Sequence, residues 1–191
     1  NVQISSFPYQ KTINDFDFNY QPQINKSAIE DLCSLRFMET KSNVVFMGTP
    51  GVGKTHLAIS IGIEAATQRL STYFINFSTL MAKIKKAIAE KREETIIKHY
   101  LKYSLLIIDE IEKASNESID LFLNILDQGF FESSKGEKID CKSTMIIFIS
   151  SYGYNQESTF KHNMIGDVSK KSMIINLQNR FRYEFLSRID D

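Results

Sequence analysis

The chain has 191 residues, 42% apolar and 24% charged, and its 23 basic and 23 acidic side chains cancel. That length and balance describe one sizeable folded domain and exclude disorder along the whole chain. The absence of net charge excludes a strong global attraction to nucleic acid or anionic membrane, leaving room only for a local patch. Cys33 and Cys141 stand far apart and form no CxxC pair, so reduced thiols in a cytoplasmic protein are expected. The longest apolar runs, 105–108 and 145–149, are too short to span a bilayer. The N-terminus has neither a signal pattern nor a starting Met, which suits a fragment or a processed chain.

Residues 1–23, with Pro8, Pro22 and Asp15-Phe16-Asp17-Phe18, read as an extended arm that packs through its aromatics, ahead of a core over 24–191. From Asn25 to Thr40, Ile29, Leu32, Cys33 and Phe37 recur at helical spacing, with Asn25 as the cap. Asn43 to Met47 predicts a buried strand, 54–70 a helix, and the β-branched, aromatic run 72–77 a second strand. Ser78 is placed to cap a helix whose stripe is Leu80, Met81, Ile84 and Ile88. Leu105 to Ile108 predicts a central parallel strand. Ile119, Phe122, Leu123, Leu126 and Phe130 predict a helix that stops near Gly129. The polar run 133–143, with Gly136 inside it, predicts a hairpin or loop before a buried strand at 145–150. Residues 153–172 are weakly patterned, and a basic-aromatic helix, about 176–189, closes the chain. Strands alternating with helices predict an α/β fold with a parallel sheet.

The strongest chemical signal is Gly48-Thr49-Pro50-Gly51-Val52-Gly53-Lys54-Thr55, a GxxxxGK[ST] phosphate loop between a buried strand and a helix. Its glycines let backbone N–H groups surround phosphate oxygens, and the helix behind adds its positive end. Lys54 is expected to reach the β- and γ-phosphates of ATP, and the Thr55 hydroxyl to sit on Mg²⁺. His56 follows inside the same helix and is expected to pack or cap locally. The second signal is Leu105-Leu106-Ile107-Ile108-Asp109-Glu110, which delivers two carboxylates at the C-terminal end of a strand. Asp109 is expected to hold Mg²⁺ through water, and Glu110 to act as general base on the attacking water. The pair of motifs implies nucleoside triphosphate hydrolysis.

Residues 7–111 resemble the ATP-binding domain of insertion-sequence transposition helpers, the IstB-like branch near the DnaC-type helicase loaders. The stretches that carry this are Phe7-Pro8, Lys11-Thr12-Ile13, Phe16-Asp17-Phe18, and runs 48–58, 73–81 and 102–111, with His56-Leu57 typical of the branch. Residues 109–191 resemble the second ATPase module of Clp-type chaperones, through runs 109–115, 125–151 and 181–191. The join falls at the shared Asp-Glu-Ile element, the pattern of a chimera made by recombination, gene fusion or assembly error. Both relatives are AAA+ ATPases. The resemblance implies a P-loop AAA+ core with a five-stranded parallel sheet in the order 5-1-4-3-2, flanked by helices; both branches follow this core with a small helical lid, and no C-terminal lid is expected in a chain that stops at Asp191. It also puts Ser151 where most members use Asn to sense the γ-phosphate. Arg188 matches an arginine finger that reaches a neighbouring subunit, with Arg180 and Arg182 as near alternatives; such fingers contribute roughly 10³–10⁵ in rate.

The Clp-type pore loop has no counterpart in the run 91–104, where Tyr100 and Tyr103 are expected to pack on the sheet. Lys83, Lys85, Lys86, Lys91 and Arg92 cluster, interspersed with Glu90, Glu93 and Glu94. They read either as a solvated face or as a DNA-backbone contact. The expected function is an ATP-binding AAA+ ATPase, weakly active in this fragment, acting as a DNA transposition helper or helicase loader. Expected partners are DNA, a transposase or replicative helicase, and further copies of the chain assembled with ATP. The alternatives are a Clp-type unfoldase module, or a nucleotide-binding module with little turnover.

Overall fold

The computed structural model describes residues 4–151, apart from 114, 116, 120, 121, 123, 124, 126 and 127. The expected closing helix, with Arg180, Arg182 and Arg188, lies outside the described residues, as does the run 153–172. Strands β1 (Ile4–Ser5), β2 (Val44–Met47), β3 (Thr72–Asn76), β4 (Leu105–Asp109) and β7 (Met145–Ser150) form one parallel sheet in the order β1-β3-β4-β7-β2. Strands β5 (Phe130–Glu132) and β6 (Lys138–Asp140) form an antiparallel hairpin, as the polar run around Gly136 predicts.

Counting from the strand before the glycine loop, the four long strands run 1-4-3-2 across the sheet, as expected for this fold. The strand expected outside the first falls beyond the described residues. The fifth member of the sheet is instead β1, at the opposite edge, with Ile4 beside Thr72 and Ser5 beside Tyr73. The arm thus covers an edge that would otherwise expose unpaired backbone groups.

Alternation along β4 explains the layers. Leu105 and Ile107 join one cluster with Ala58, Ile59, Ile61 and Ile147, under helix α3 (Lys54–Thr67). Leu106 and Ile108 point the other way, to Phe77, Leu80, Ile84 and Tyr100 of helices α4 (Phe77–Ala89) and α5 (Glu93–Leu101). Both faces are covered, so β4 is apolar up to Asp109 and β7 up to Ser150.

Four local expectations are revised. The helical pattern over 25–40 is two helices, α1 (Lys26–Cys33) and α2 (Arg36–Glu39), because Leu35 turns left-handed (φ 64°) and buries its side chain. Asn25 does cap α1, accepting from Ala28 N at 3.2 Å. Helix α4 starts one residue before Ser78, so Ser78 is an exposed first-turn residue and not the cap. Its stripe runs Phe77, Leu80, Met81, Ile84 and Ala87, which leaves Ile88 39% exposed. The described residues between 117 and 128 are helical, but Phe130 opens β5. Gly129, at φ 67° and packed against the Lys142 side chain, makes that turn.

Candidate nucleotide-binding site

Strand β2 ends at Met47, the glycine loop follows, and α3 opens at Lys54. Gly51 and Gly53 are left-handed (φ 84° and 93°), so the turn needs residues without Cβ. Gly53 occupies the N-cap of α3 and offers no side chain to its first-turn N–H groups, which therefore remain for an anion. A Cβ at Gly53 would come within 2.5 Å of the Phe16 ring, so the arm lies directly on the loop.

Lys54 is buried, and its Nζ donates to the carbonyls of Gly48 and Thr49, each at 2.8 Å. Burial lowers its pKa, opposed by the charges of Glu112 and Asp109. Thr55 Oγ1 donates to Asp109 Oδ2 at 3.0 Å, so residues 54 positions apart in sequence meet at the head of the loop. Burial pushes the Asp109 carboxyl up; hydrogen bonds from Thr55 and from the Glu110 N–H (2.7 Å) oppose this, while the charges of Glu110 and Glu112 add to it.

Glu110 follows in a left-handed conformation (φ 60°), which is strained for a side chain of its kind. Its carboxylate accepts from Asn76 Nδ2 at 2.7 Å and from Lys113 Nζ. The Lys113 hydrogen bond holds its pKa down, burial opposes, and the Asn76 bond helps. Asn76 and Asp109 are register partners at the ends of β3 and β4.

Sequence reasoning missed Asn76, Lys113 and Glu112. The available signal was a polar residue closing a strand next to the acidic one. Ser150, the last residue of β7, donates to Glu112 Oε2 at 3.3 Å and lies beside Met47. Ser151 is partly exposed just beyond the strand, so the sensor expected there has Ser150 as a close neighbour at the acidic group. His56 faces the arm: its Nε2 lies 2.9 Å from the Thr12 carbonyl and its ring meets Phe16 edge-on at 5.3 Å.

Against the loop, Phe16, Tyr20, Gln21 and His56 line a concavity of about 210 Å³ with Gly51, Val52 and Gly53. A larger cavity, about 340 Å³, lies at the other end of the sheet among Leu80, Ile84, Tyr100 and Met145. Its lining is mainly apolar, and the converging charged groups are at the loop end, where ligands of open α/β sheets bind.

The model of the family described as "IstB-like ATP binding protein" matches residues 1–135. The chain belongs to this family. It is 49% identical over 135 residues to the ATP-binding protein ascribed to insertion sequence IS232 of Bacillus thuringiensis subsp. berliner, covering 70% of this chain and 54% of the relative. A similar protein of IS5376 from Geobacillus stearothermophilus is 43% identical over 110 residues, covering 58% of this chain and 44% of the relative. The chain therefore spans about half the length of these curated relatives. The chaperone ClpB of Clostridium perfringens is 32% identical over 160 residues, covering 77% of this chain and 18% of ClpB. A cryo-EM structure of Hsp104 with ATPγS and casein superposes with a TM-score of 0.61 at 26% identity, covering 78% of this chain and 28% of Hsp104.

The IstB-like chain is thus an ATP-binding AAA+ protein with Clp-type similarity. The two resemblances overlap: the family match runs to residue 135, and the ClpB match covers more of the chain than 109–191. Among the described residues, no helix is long and apolar enough to cross a membrane.

Proposed function

We propose that this IstB-like protein hydrolyses Mg·ATP and uses the cycle to assemble on DNA as a transposition helper. The observation that carries the reading is the convergence of Lys54, Thr55, Asp109 and Glu110 at one end of the sheet. The loop from Gly48 to Gly53, with Thr49, Pro50 and Val52 between its glycines, wraps the phosphates. Lys54 leaves its loop carbonyls to neutralise β- and γ-phosphate oxygens.

Two oxygen donors, the Thr55 hydroxyl and the Asp109 carboxylate, fit a magnesium ion that keeps most of its other positions for water and phosphate. Held by Thr55 and Asp109, magnesium would supply neutralisation of phosphate charge. Glu110 accepts the proton of the attacking water, held in place by Asn76 and Lys113. The concavity beside Phe16 and Tyr20 takes the base end of the nucleotide. Ser151 or its neighbour Ser150 acts near the γ-phosphate, and Arg188 completes a neighbouring subunit's site in an ATP-bound oligomer.

The described arm and the described core work as one unit, since Phe16 rests on the glycine loop. DNA, with a transposase or replicative helicase, is the partner set that goes with the insertion-sequence relatives. ClpB identity over most of the chain favours a second reading, a polypeptide-threading module. Against it, the aromatics of 91–104 are committed to the core. Tyr100 and Tyr103 are 5% and 7% exposed and pack against the Tyr73 ring, Tyr100 edge-on and Tyr103 tilted.

A steady-state ATPase assay with DNA retention on filters tests the proposal. Expected are turnover that drops about 10²–10⁴-fold in Glu110→Gln and ATP-dependent retention of duplex. Nucleotide binding without turnover in any oligomeric state would leave a binding module only. Unfolding of a tagged protein with no DNA retention would favour the threading module.

A further inference from the structure

We infer that the outward face of α4 is a docking surface for the sugar-phosphate backbone of nucleic acid. This rests on the DNA reading above and names the surface that serves it. Along the sequence, Glu90, Glu93 and Glu94 dilute the cations at 83–92, but the structure turns two of them away. Glu93 is buried, and its Oε1 accepts from Ser134 N of the β5–β6 hairpin at 2.7 Å. Glu94 is bound by Lys98, one turn further along α5. Of the three, Glu90 alone remains within the patch, shared between Arg92 and, at 4.0 Å, Lys86. Glu117 approaches Lys85 from the neighbouring helical segment. Lys83, Lys85, Lys86, Lys91 and Arg92 thus outnumber the acidic groups facing them among the described residues.

The chemistry of the face selects the partner class. Ser78, Thr79, Ala82, Lys83 and Lys86 line an open concavity of about 370 Å³. All are exposed, and they follow one another along the side of α4 opposite its buried stripe. Hydroxyls, ammonium groups and the N-terminal turn of a helix are the usual phosphate contacts of nucleic-acid-binding proteins. Cations one helical turn apart, about 5 Å, each find a phosphate on a strand whose charges repeat about every 3.4 Å along the axis. An anchored protein partner needs a pocket for an aromatic or aliphatic side chain. Among its lining side chains only Ala82 is apolar, and the Lys83 ammonium lies 6.0 Å from the Tyr100 ring centroid, a cation–π contact that positions the charged group.

The test is fluorescence anisotropy of the full chain with a labelled duplex of mixed sequence, in Mg·ATP, across a salt titration. The triple variant Lys83→Gln, Lys86→Gln and Lys91→Gln is compared with a control triple, Lys26→Gln, Lys41→Gln and Lys142→Gln. Melting shifts with Mg·ATP show whether each variant is folded and binds nucleotide. The expected result is a loss of about tenfold or more in affinity for the patch triple, with a log–log salt slope shallower by about two to three, and no change for the control. Wild-type affinity and slope in the patch triple would overturn the surface while leaving DNA binding in place. No retention of duplex by the wild-type chain would overturn both the surface and the DNA reading. Polyglutamate binding that is lost in the patch triple, with no duplex binding, would make the face an acidic-protein site and overturn the proposal.

Discussion

Gly53 is held to glycine by two independent demands, and they can be separated by experiment. Its φ of 93° is a left-handed conformation, and a Cβ there would stand 2.5 Å from Phe16 Cε2 and 3.2 Å from Cζ. In Gly53→Ala the backbone strain costs about 1–2 kcal/mol. Forcing a methyl group against the ring costs about 1–3 kcal/mol more. The sum, about 2–5 kcal/mol, corresponds to a fall in Tm of roughly 4–20 °C for a domain of this size. Phe16→Ala removes the steric part and leaves the strain, so the double variant should regain about 1–3 kcal/mol relative to additivity. Urea unfolding of the four proteins measures the cycle. Strict additivity would mean that the ring swings freely aside, and would refute the claim that the arm packs on the phosphate loop. In both variants that carry Gly53→Ala, ATP affinity should fall, because the left-handed turn presents the loop N–H groups.

Lys113→Met removes the hydrogen bond that contributes most to lowering the Glu110 pKa. Glu110 then titrates higher, so the acid limb of the pH–rate profile should move to higher pH; an unmoved limb would detach Lys113 from the base. Asn76→Ala should shift the same limb in the same direction, by less. Ile84→Ala should destabilise by about 2–5 kcal/mol, whereas Ile88→Lys should change stability by less than about 0.5 kcal/mol; equal effects in denaturant titrations would contradict the observed face of α4. Burial pushes the Cys141 thiol up to about 11. At pH 8 its thiolate fraction is then about one in a thousand, so alkylation of the native protein at Cys141 should be far slower than after unfolding. A fast native reaction at that residue, located by mass spectrometry, would contradict its burial.

Periodicity and spacing made the sheet readable. Uninterrupted apolar runs at 105–108 and 145–149 are too short for a helix and fit strands covered on both faces, and the glycine loop needs a strand before it and a helix after it. The phosphate loop and the carboxylates at 109 and 110 were legible for the same reason, since their chemistry fixes residue type and spacing. Tertiary contacts were not legible. Asn76 reads as one more residue of the strand expected over 72–77 until the register of β3 and β4 places it beside the acidic strand end. Its amide then serves Glu110, and α4 has no side-chain cap at that position. Leu35 breaks a helical pattern without any glycine or proline because burial of its own side chain outweighs a left-handed turn. Ile88 fits the apolar period of α4 but stays 39% exposed, with Ala87 the last buried residue of the stripe. The glutamates at 90, 93 and 94 are close in sequence and face three different partners, which no charge count along the chain can reveal.

The glycine loop and Asp109 are expected to grip one Mg·ATP together. Isothermal calorimetry of the full chain, with ATP in magnesium and in chelator, tests it most directly, alongside Lys54→Ala and Asp109→Asn. A one-site binding heat in magnesium is expected from the wild-type chain and lost in Lys54→Ala. In Asp109→Asn, affinity should no longer depend on magnesium. Wild-type heat retained by both variants, or no heat from the wild-type chain at saturating Mg·ATP, would contradict it.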